Sequence, residues 1–287
     1  MNASHARAKL MPHPAESFLS QQDIDIIPIL EARNLGIKFG GLVAVDNFNT
    51  AIKNMEISAL IGPNGAGKTT VFNLITKVYQ PTSGSILLHG QDTRNMTTVQ
   101  TSKAGIARTF QNIRLFSNLS VEDNIKIGLH NRINYGMVSS VFRLPAYWKE
   151  EKQAHERAME LLSIFNIEHL AGYRAGSLPY GAQRRLEIIR ALATKPSLLL
   201  LDEPAAGMNP SETGELMENI VKIRDHFKIA VLIIEHDMSL VMGICEKICV
   251  LNFGKIIAKG NPAQIQNNPQ VIEAYLGRSK EGLHAKG

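Results

Sequence analysis

Cysteine is nearly absent: Cys245 and Cys249 are the only two in 287 residues. A C-x-x-x-C pair without companion histidines is a poor metal site and no disulfide framework. Both are expected as small, buried apolar side chains in a reducing, cytoplasmic compartment. Long apolar runs are also missing. None approaches the ~18 residues that span a bilayer, so the chain is not expected to cross a membrane itself. The first 28 residues hold no apolar stretch of the kind that marks a secretory leader and read as a tail without order. Charge of one sign is not concentrated either. The 31 Lys and Arg against 26 Asp and Glu leave a formal +5, dispersed along the chain, whereas a nucleic-acid-binding protein gathers its cations on one face. Internal repeats and low-complexity tracts are lacking as well. A chain of this length buries roughly 75% of its unfolded surface, enough for one catalytic domain with an inserted lobe.

What the chain does have is an ordered set of short motifs. Residues 62–70 read GPNGAGKTT, with the apolar strand-like run Ile57 to Ile61 before them and a helical stretch, Thr69 to Lys77, after. Gly62, Pro63, Asn64, Gly65, Ala66 and Gly67 form the type of loop whose backbone N–H groups approach phosphate oxygens, an approach that Cβ atoms obstruct. The N-terminus of the following helix faces the same phosphates. Lys68 is placed to reach the β- and γ-phosphates, Thr69 to ligate Mg²⁺ through its hydroxyl, and Thr70 to add a phosphate contact. An incidental glycine turn is the competing reading, and the flanking strand and helix count against it.

Leu198 to Leu201 is a four-leucine run ending in Asp202 and Glu203, a buried strand that carries carboxylates to the sheet edge where open α/β folds bind ligands. Asp202 is expected to hold Mg²⁺ through water, and Glu203 to act as general base toward the attacking water. A third run, Ala230 to Ile234, ends at Glu235-His236-Asp237 and brings His236 beside the γ-phosphate. Gln111, after Arg108-Thr109-Phe110, carries a neutral amide that can touch Mg²⁺ or orient water. Taken alone, such a histidine or glutamine is more often an ordinary core or surface group. The order of the motifs gives these two their weight.

In this order the motifs resemble those of the nucleotide-binding subunits of ATP-binding cassette (ABC) transporters, over about Leu30 to Gly277. The resemblance implies an α/β fold: a P-loop NTPase (RecA-like) core with an antiparallel β subdomain and an inserted helical subdomain. It implies ATP and Mg²⁺, with Gly62 to Thr70 as the Walker A loop, Gln111 as the Q-loop, Leu198 to Glu203 as the Walker B strand and His236 as the switch histidine. Phe39 matches the aromatic that stacks on adenine, though an ordinary half-buried strand aromatic is nearly as good a reading. The resemblance further implies two cassettes, as a homodimer or heterodimer, closing head to tail with Gly181 of one facing the γ-phosphate of the other. Two transmembrane permease subunits, an extracytoplasmic binding protein acting indirectly, and a place at the cytoplasmic face of the inner membrane complete the expectation, with no nucleic acid.

Two departures stand out. Leu178-Pro179-Tyr180-Gly181-Ala182 replaces the common L-S-G-G-Q, and Pro179 has neither hydroxyl nor N–H to offer a phosphate. Asn209 stands where many of these proteins have an aspartate. FGGLVAVDN at 39–47, RTFQNIRLF at 108–116, DEPAAGMNP at 202–210 and the tail NNPQVIEAYLG at 267–277 are similar to the ATPase of branched-chain amino acid importers. The alternatives are a cassette for another amino acid, urea or amides, or lipopolysaccharide, an ABC ATPase acting outside transport, and a regulatory module without catalysis.

The pattern divides into the tail over 1–28, an ATPase domain over 29–261, and a C-terminal helical extension with its tail over 262–287. Ile29 to Ile57 alternates strand-like segments with turns at Gly40-Gly41 and Lys53-Asn54, an antiparallel sheet. Pro81 to Gly84 reads as a turn before a strand at Ser85 to Leu88. Three- and four-residue spacing among Ala154, Ala158, Leu161, Leu162 and Phe165 places a helical lobe at about 116–178, expected to meet the membrane subunit. Tyr135, Val138, Val141, Phe142, Leu144, Tyr147 and Trp148 form either a docking surface or core beneath a loop. Ile265 to Leu276 is expected as a terminal helix broken near Pro269.

Overall fold

Alternating and continuous apolar patterns build two different sheets. The computed structural model describes residues 27–129 and 145–275. The tail expected over 1–28 lies outside the described residues as far as 26, as do Tyr135, Val138, Val141, Phe142 and Leu144. Strands β1 (Leu30–Phe39) and β2 (Leu42–Ile52) form a hairpin through Gly40, whose φ of 56° suits the tight turn. With β4 (Ser83–Leu88) and β5 (Gln91–Asp92) they make an antiparallel sheet in the order β2-β1-β4-β5.

The second sheet is central. Its strands are β3 (Ile57–Ile61), β6 (Ile106–Arg108), β7 (Leu198–Asp202), β8 (Ala230–Ile234), β9 (Lys247–Asn252) and β10 (Lys255–Gly260), in the order β10-β9-β3-β8-β7-β6. All run parallel except β10, which pairs antiparallel with β9 at the edge. Every residue of β3, β7 and β8 is buried, as parallel strands covered on both faces require. Side chains divide by the strand period of two. Ile57, Ala59 and Ile61 enter one core with Leu199 and Leu201, on the side of the larger helices. Leu60, Leu198 and Leu200 enter another beneath the antiparallel sheet, with Leu30, Phe48 and Phe72. Each such leucine, isoleucine or phenylalanine contributes roughly 1.5–3 kcal/mol when fully buried, and a one-residue slip would send all of these side chains to the wrong face.

Helix α1 (Lys68–Ile75) follows β3, and α2 (Thr98–Lys103) precedes β6. Helices α3 (Val121–Leu129) and α4 (Pro145–Ile164) pack on α5 (Tyr180–Ala193), burying Ala158, Leu161, Leu162 and Phe165. Helix α6 (Pro210–Phe227) starts at a capping box in which Asn209 Oδ1 accepts from the Glu212 N–H at 3.0 Å and Glu212 accepts from the Asn209 N–H at 2.9 Å. Helix α7 (Met238–Ile244) is capped by Asp237. Helix α8 (Pro262–Gln266) and a last helix, α9, at 269–275 end the described chain. Among the described residues no helix is long and apolar enough to cross a membrane.

Two local expectations are corrected. The helix after the glycine loop ends at Ile75 rather than Lys77, because Lys77 takes the left-handed conformation at φ 58°. Ser83 and Gly84 belong to β4 rather than to the turn, since Ser83 pairs with Gly36. The C-terminal break falls near Pro269 as expected, at 267–268, and Pro269 itself lies at the start of the next helix, where its missing N–H is harmless. Cys245 and Cys249 are buried free thiols, and burial pushes each pKa up to about 12.

Candidate functional site

The loop leaving β3 depends on glycine at specific points. Gly62, Gly65 and Gly67 have φ values of 149°, 79° and 105°. A Cβ on Gly62 would overlap the carbonyl oxygen of Leu251, and one on Gly67 would lie 2.8 Å from that of Ala44. Close backbone packing therefore supports the loop from behind, while its N–H-rich side opens on a cleft. Lys68 is buried at the start of α1, and its ammonium donates to the carbonyls of Gly62 at 2.6 Å and Pro63 at 3.0 Å.

The cleft has a volume of ≈ 960 Å³ and is lined by residues 62–70, Phe39, Gln111, Glu203 and His236, joined by Phe253, Tyr275 and neighbours. Nearly all of the site residues expected from sequence thus face one space. Phe39 is 44% exposed there, its ring edge-on to Tyr79 at 5.2 Å. Gly181 lies elsewhere, at the buried first turn of α5 behind Pro179, which offers no side-chain cap. Asp202 does not line the cleft either.

The end of β7 explains that difference. Asp202 is buried and its Oδ2 accepts from Arg108 Nη2 at 2.8 Å, while Arg108 Nη1 donates to Asn73 at 2.7 Å. The Arg108 guanidinium also packs on the rings of Phe72 and Phe110. One residue on, Glu203 turns left-handed at φ 47°, its N–H donating to Ile234 O at 2.8 Å. This turn swings the Glu203 carboxylate into the cleft, where Gln111 Nε2 donates to it at 2.7 Å. Across from them, Glu235 is buried and accepts from the N–H groups of His236 at 3.0 Å and Ala205 at 2.8 Å. The backbone of His236 is thereby fixed, while its ring stays 62% exposed.

Sequence reasoning gave no role to the residue that ties these loops together. Arg184, fully buried on α5, donates to the carbonyl oxygens of Phe110 at 2.5 Å, Gln111 at 3.1 Å, Asp202 at 3.3 Å and Glu203 at 2.8 Å. Its charge is balanced by Glu187 Oε2 at 2.8 Å, and Glu187 Oε1 accepts from the Arg114 N–H at 3.2 Å. One guanidinium therefore sets the relative position of the Gln111 and Glu203 backbones.

The cleft suits a polyphosphate: donors converge from the loop, a lysine stands at its base, and a carboxylate faces it. Mg²⁺ prefers few protein ligands and completes its shell from phosphate and water. The Thr69 hydroxyl and the Gln111 amide oxygen fit that demand, with Asp202 one layer behind. Among the described residues no group of three His, Cys, Asp or Glu could hold a metal alone, so nucleotide phosphate would have to supply the remaining oxygens.

Known proteins share this arrangement. The ABC transporter family model matches residues 45–206, and that of the branched-chain amino acid ATP-binding cassette transporter matches residues 255–281. The high-affinity branched-chain amino acid transport ATP-binding protein LivG of Escherichia coli is 46% identical over 88% of this chain and 99% of its own length. BraF of Pseudomonas aeruginosa, named for the same transport, is 45% identical with the same coverage. Among solved structures, the ADP conformation of MJ1267, an ATP-binding cassette of an ABC transporter, superposes with a TM-score of 0.76 at 30% identity, covering 87% of this chain and 99% of that one. With its phosphate loop, carboxylate strand end and both family models in register, the chain belongs to the ABC transporter family, as an ATP-hydrolysing cassette of the branched-chain amino acid type.

Proposed function

We propose that this cassette works as one of a pair beneath two permease subunits at the cytoplasmic face of the membrane, energising import of branched-chain amino acids. The observation that carries the reading is the convergence of the phosphate loop, Gln111, Glu203 and His236 on one cleft, in a chain whose C-terminal segment matches the branched-chain amino acid group. The substrate itself never enters the cassette, so its identity rests on that kinship.

In this reading the N–H groups of residues 65–70 and Lys68 bind the β- and γ-phosphates. Thr69 and Gln111 would hold Mg²⁺, with Asp202 contributing through water, and the bound ion would neutralise charge developing on the phosphates. Glu203 accepts the proton of the attacking water, and His236 orients the γ-phosphate side of the cleft. The Gln111–Glu203 hydrogen bond must open for both to serve their separate partners. Closure of a second cassette would bring Gly181 and the N-terminus of its α5 to the γ-phosphate, supplying the affinity difference between open and closed states that drives the cycle.

A groove between the core and the helical lobe suits the permease contact. Its volume is ≈ 420 Å³, and Val78, Phe110, Phe116, Ile127 and Arg190 are among its lining residues, with Phe116 and Ile127 48% and 41% exposed. Phe110 adjoins Gln111, so a segment docked there acts directly on the Q-loop.

The test is leucine uptake by vesicles holding the permease pair and binding protein, with this chain added inside. ATP-dependent uptake with wild type and none with Glu203→Gln is the expected result. Uptake that proceeds equally without the chain overturns the proposal.

A further inference from the structure

The turn that joins β9 to β10 consists of Phe253 and Gly254 alone, since Asn252 pairs with Lys255 across it. Both residues are left-handed, at φ 44° and 78°. A two-residue hairpin turn with both φ values positive favours Asn or Asp followed by Gly. Phenylalanine is a poor choice there, because a bulky L side chain is strained at positive φ. The core gains nothing in return, for Phe253 is 75% exposed. A side chain that strains its turn and packs in no core marks a functional position.

Its surroundings indicate which function. The Gly254 N–H donates to Ala66 O at 2.9 Å, and Gly254 O accepts from the Asp46 N–H at 2.9 Å. The turn is thus pinned between the phosphate loop and β2, and Phe253 lines the cleft beside them. Phe39, Leu42 and Val43, exposed on the hairpin of β1 and β2, line the same cleft. One space therefore joins two chemistries: loop N–H groups and Lys68 for anions, and four apolar side chains, two of them aromatic. A nucleotide carries both complements, its phosphates for the first and the flat π-face of its base for the second. Inorganic phosphate would leave the apolar group bare.

We propose that Phe253 is a base-binding residue of this site, its ring packing on the base of the bound nucleotide as a second aromatic beside Phe39. The contact offsets the strain of the β9–β10 turn. Every base has a π-face, so the ring favours nucleotides over inorganic polyphosphate more than it favours one base over another. This rests on residues 62–70 being the phosphate site.

Phe253→Asn supplies the residue that the turn prefers and removes the ring, whereas Phe253→Tyr keeps the ring. Dissociation constants for ATP, ADP and inorganic tripolyphosphate are measured for wild type and both variants, with the melting temperature of each nucleotide-free protein. In Phe253→Asn, ATP and ADP should bind about 5- to 10-fold more weakly, the lower range for one base–aromatic stack. Tripolyphosphate should bind as before, the melting temperature should hold or rise, and Phe253→Tyr should bind nucleotides like wild type. Unchanged ATP and ADP affinity in Phe253→Asn overturns the proposal; if that variant also loses the ATP-bound dimer of Glu203→Gln, the ring belongs to the face between cassettes. Equal weakening of tripolyphosphate, with a lowered melting temperature, makes Phe253 a support of the loop and overturns the proposal as well. Absence of both nucleotide and tripolyphosphate binding by wild type removes the phosphate site and this role with it.

Discussion

Gln111 Nε2 donates to Glu203 Oε2 at 2.7 Å, closing a contact between two loops 92 residues apart in the chain. In that position the carboxylate is held at the cleft but engaged with an amide, so a nucleotide must exchange the contact for water before Glu203 can accept a proton. Glu203→Gln should keep ATP affinity within a few-fold and lower kcat by about 10²–10⁴. ATP-bound dimer should then accumulate on size-exclusion chromatography. Turnover at the wild-type rate would dismiss Glu203 as the base.

Lys68 has two tasks, so its loss should show twice. Lys68→Ala removes the charge that meets phosphate, and titration calorimetry should find ATP binding at least about tenfold weaker. The nucleotide-free protein should also lose about 1.5–3 kcal/mol in urea unfolding, because the Gly62 and Pro63 carbonyls lose a charged donor. Normal stability with weakened binding would confine Lys68 to the ligand.

Lys77 is a stabilisation waiting to be made. It is left-handed at φ 58°, 5% exposed, and its ammonium has no hydrogen-bond partner. Burial lowers its pKa despite the field of Asp92. Lys77→Gly relieves both strains and should raise stability by about 1 kcal/mol. A destabilised variant would mean that attraction to Asp92 and the packing of the stem outweigh them.

Asp237 links stability to pH. It caps α7, accepting from the Ser239 hydroxyl at 2.5 Å and N–H at 2.8 Å, and these hold its pKa below the usual carboxylate value. A depressed folded pKa contributes stability above the unfolded value of about 3.9, and that contribution disappears as pH falls through the folded value. Asp237→Ala should therefore cost about 1 kcal/mol at pH 7, with the gap to wild type narrowing below about pH 4. An equal gap at both pH values would show that the charge plays no part.

The two thiols should be silent in the folded protein. At pH 8 a thiol reagent should label neither Cys245 nor Cys249, whose pKa values burial raises to about 12, and should label both after denaturation. Fast labelling of the native chain would contradict their burial.

The glycine loop, the three buried runs and the carboxylates that end one of them are legible in sequence because each is a short-range pattern with its own physical cause. Arg184 is not. Three residues before Glu187 on an amphipathic helix, it looks like half of a solvated ion pair. The signal available is that 184, 188 and 192 share a helical face, so Arg184 lies in line with the buried Ile188 and Leu192. Asp202 shows another limit. A strand end can be predicted to carry a carboxylate forward, but Arg108, which captures it, sits on a different strand. Tyr275 is illegible for the same reason, since nothing local announces that the C-terminal helix comes back to line the cleft with residues 62–70.

The strand order carries a consequence for synthesis. β3, which presents the phosphate loop, lies between β8 and β9, strands that begin at Ala230 and Lys247. A ribosome that has delivered the first two hundred or so residues, roughly one domain's length, has translated the whole loop yet neither of the strands that flank it. The nascent chain therefore holds an incomplete sheet with an open hydrogen-bonding edge on each side of β3 through most of its elongation. The cassette gains its nucleotide site only as its last third emerges.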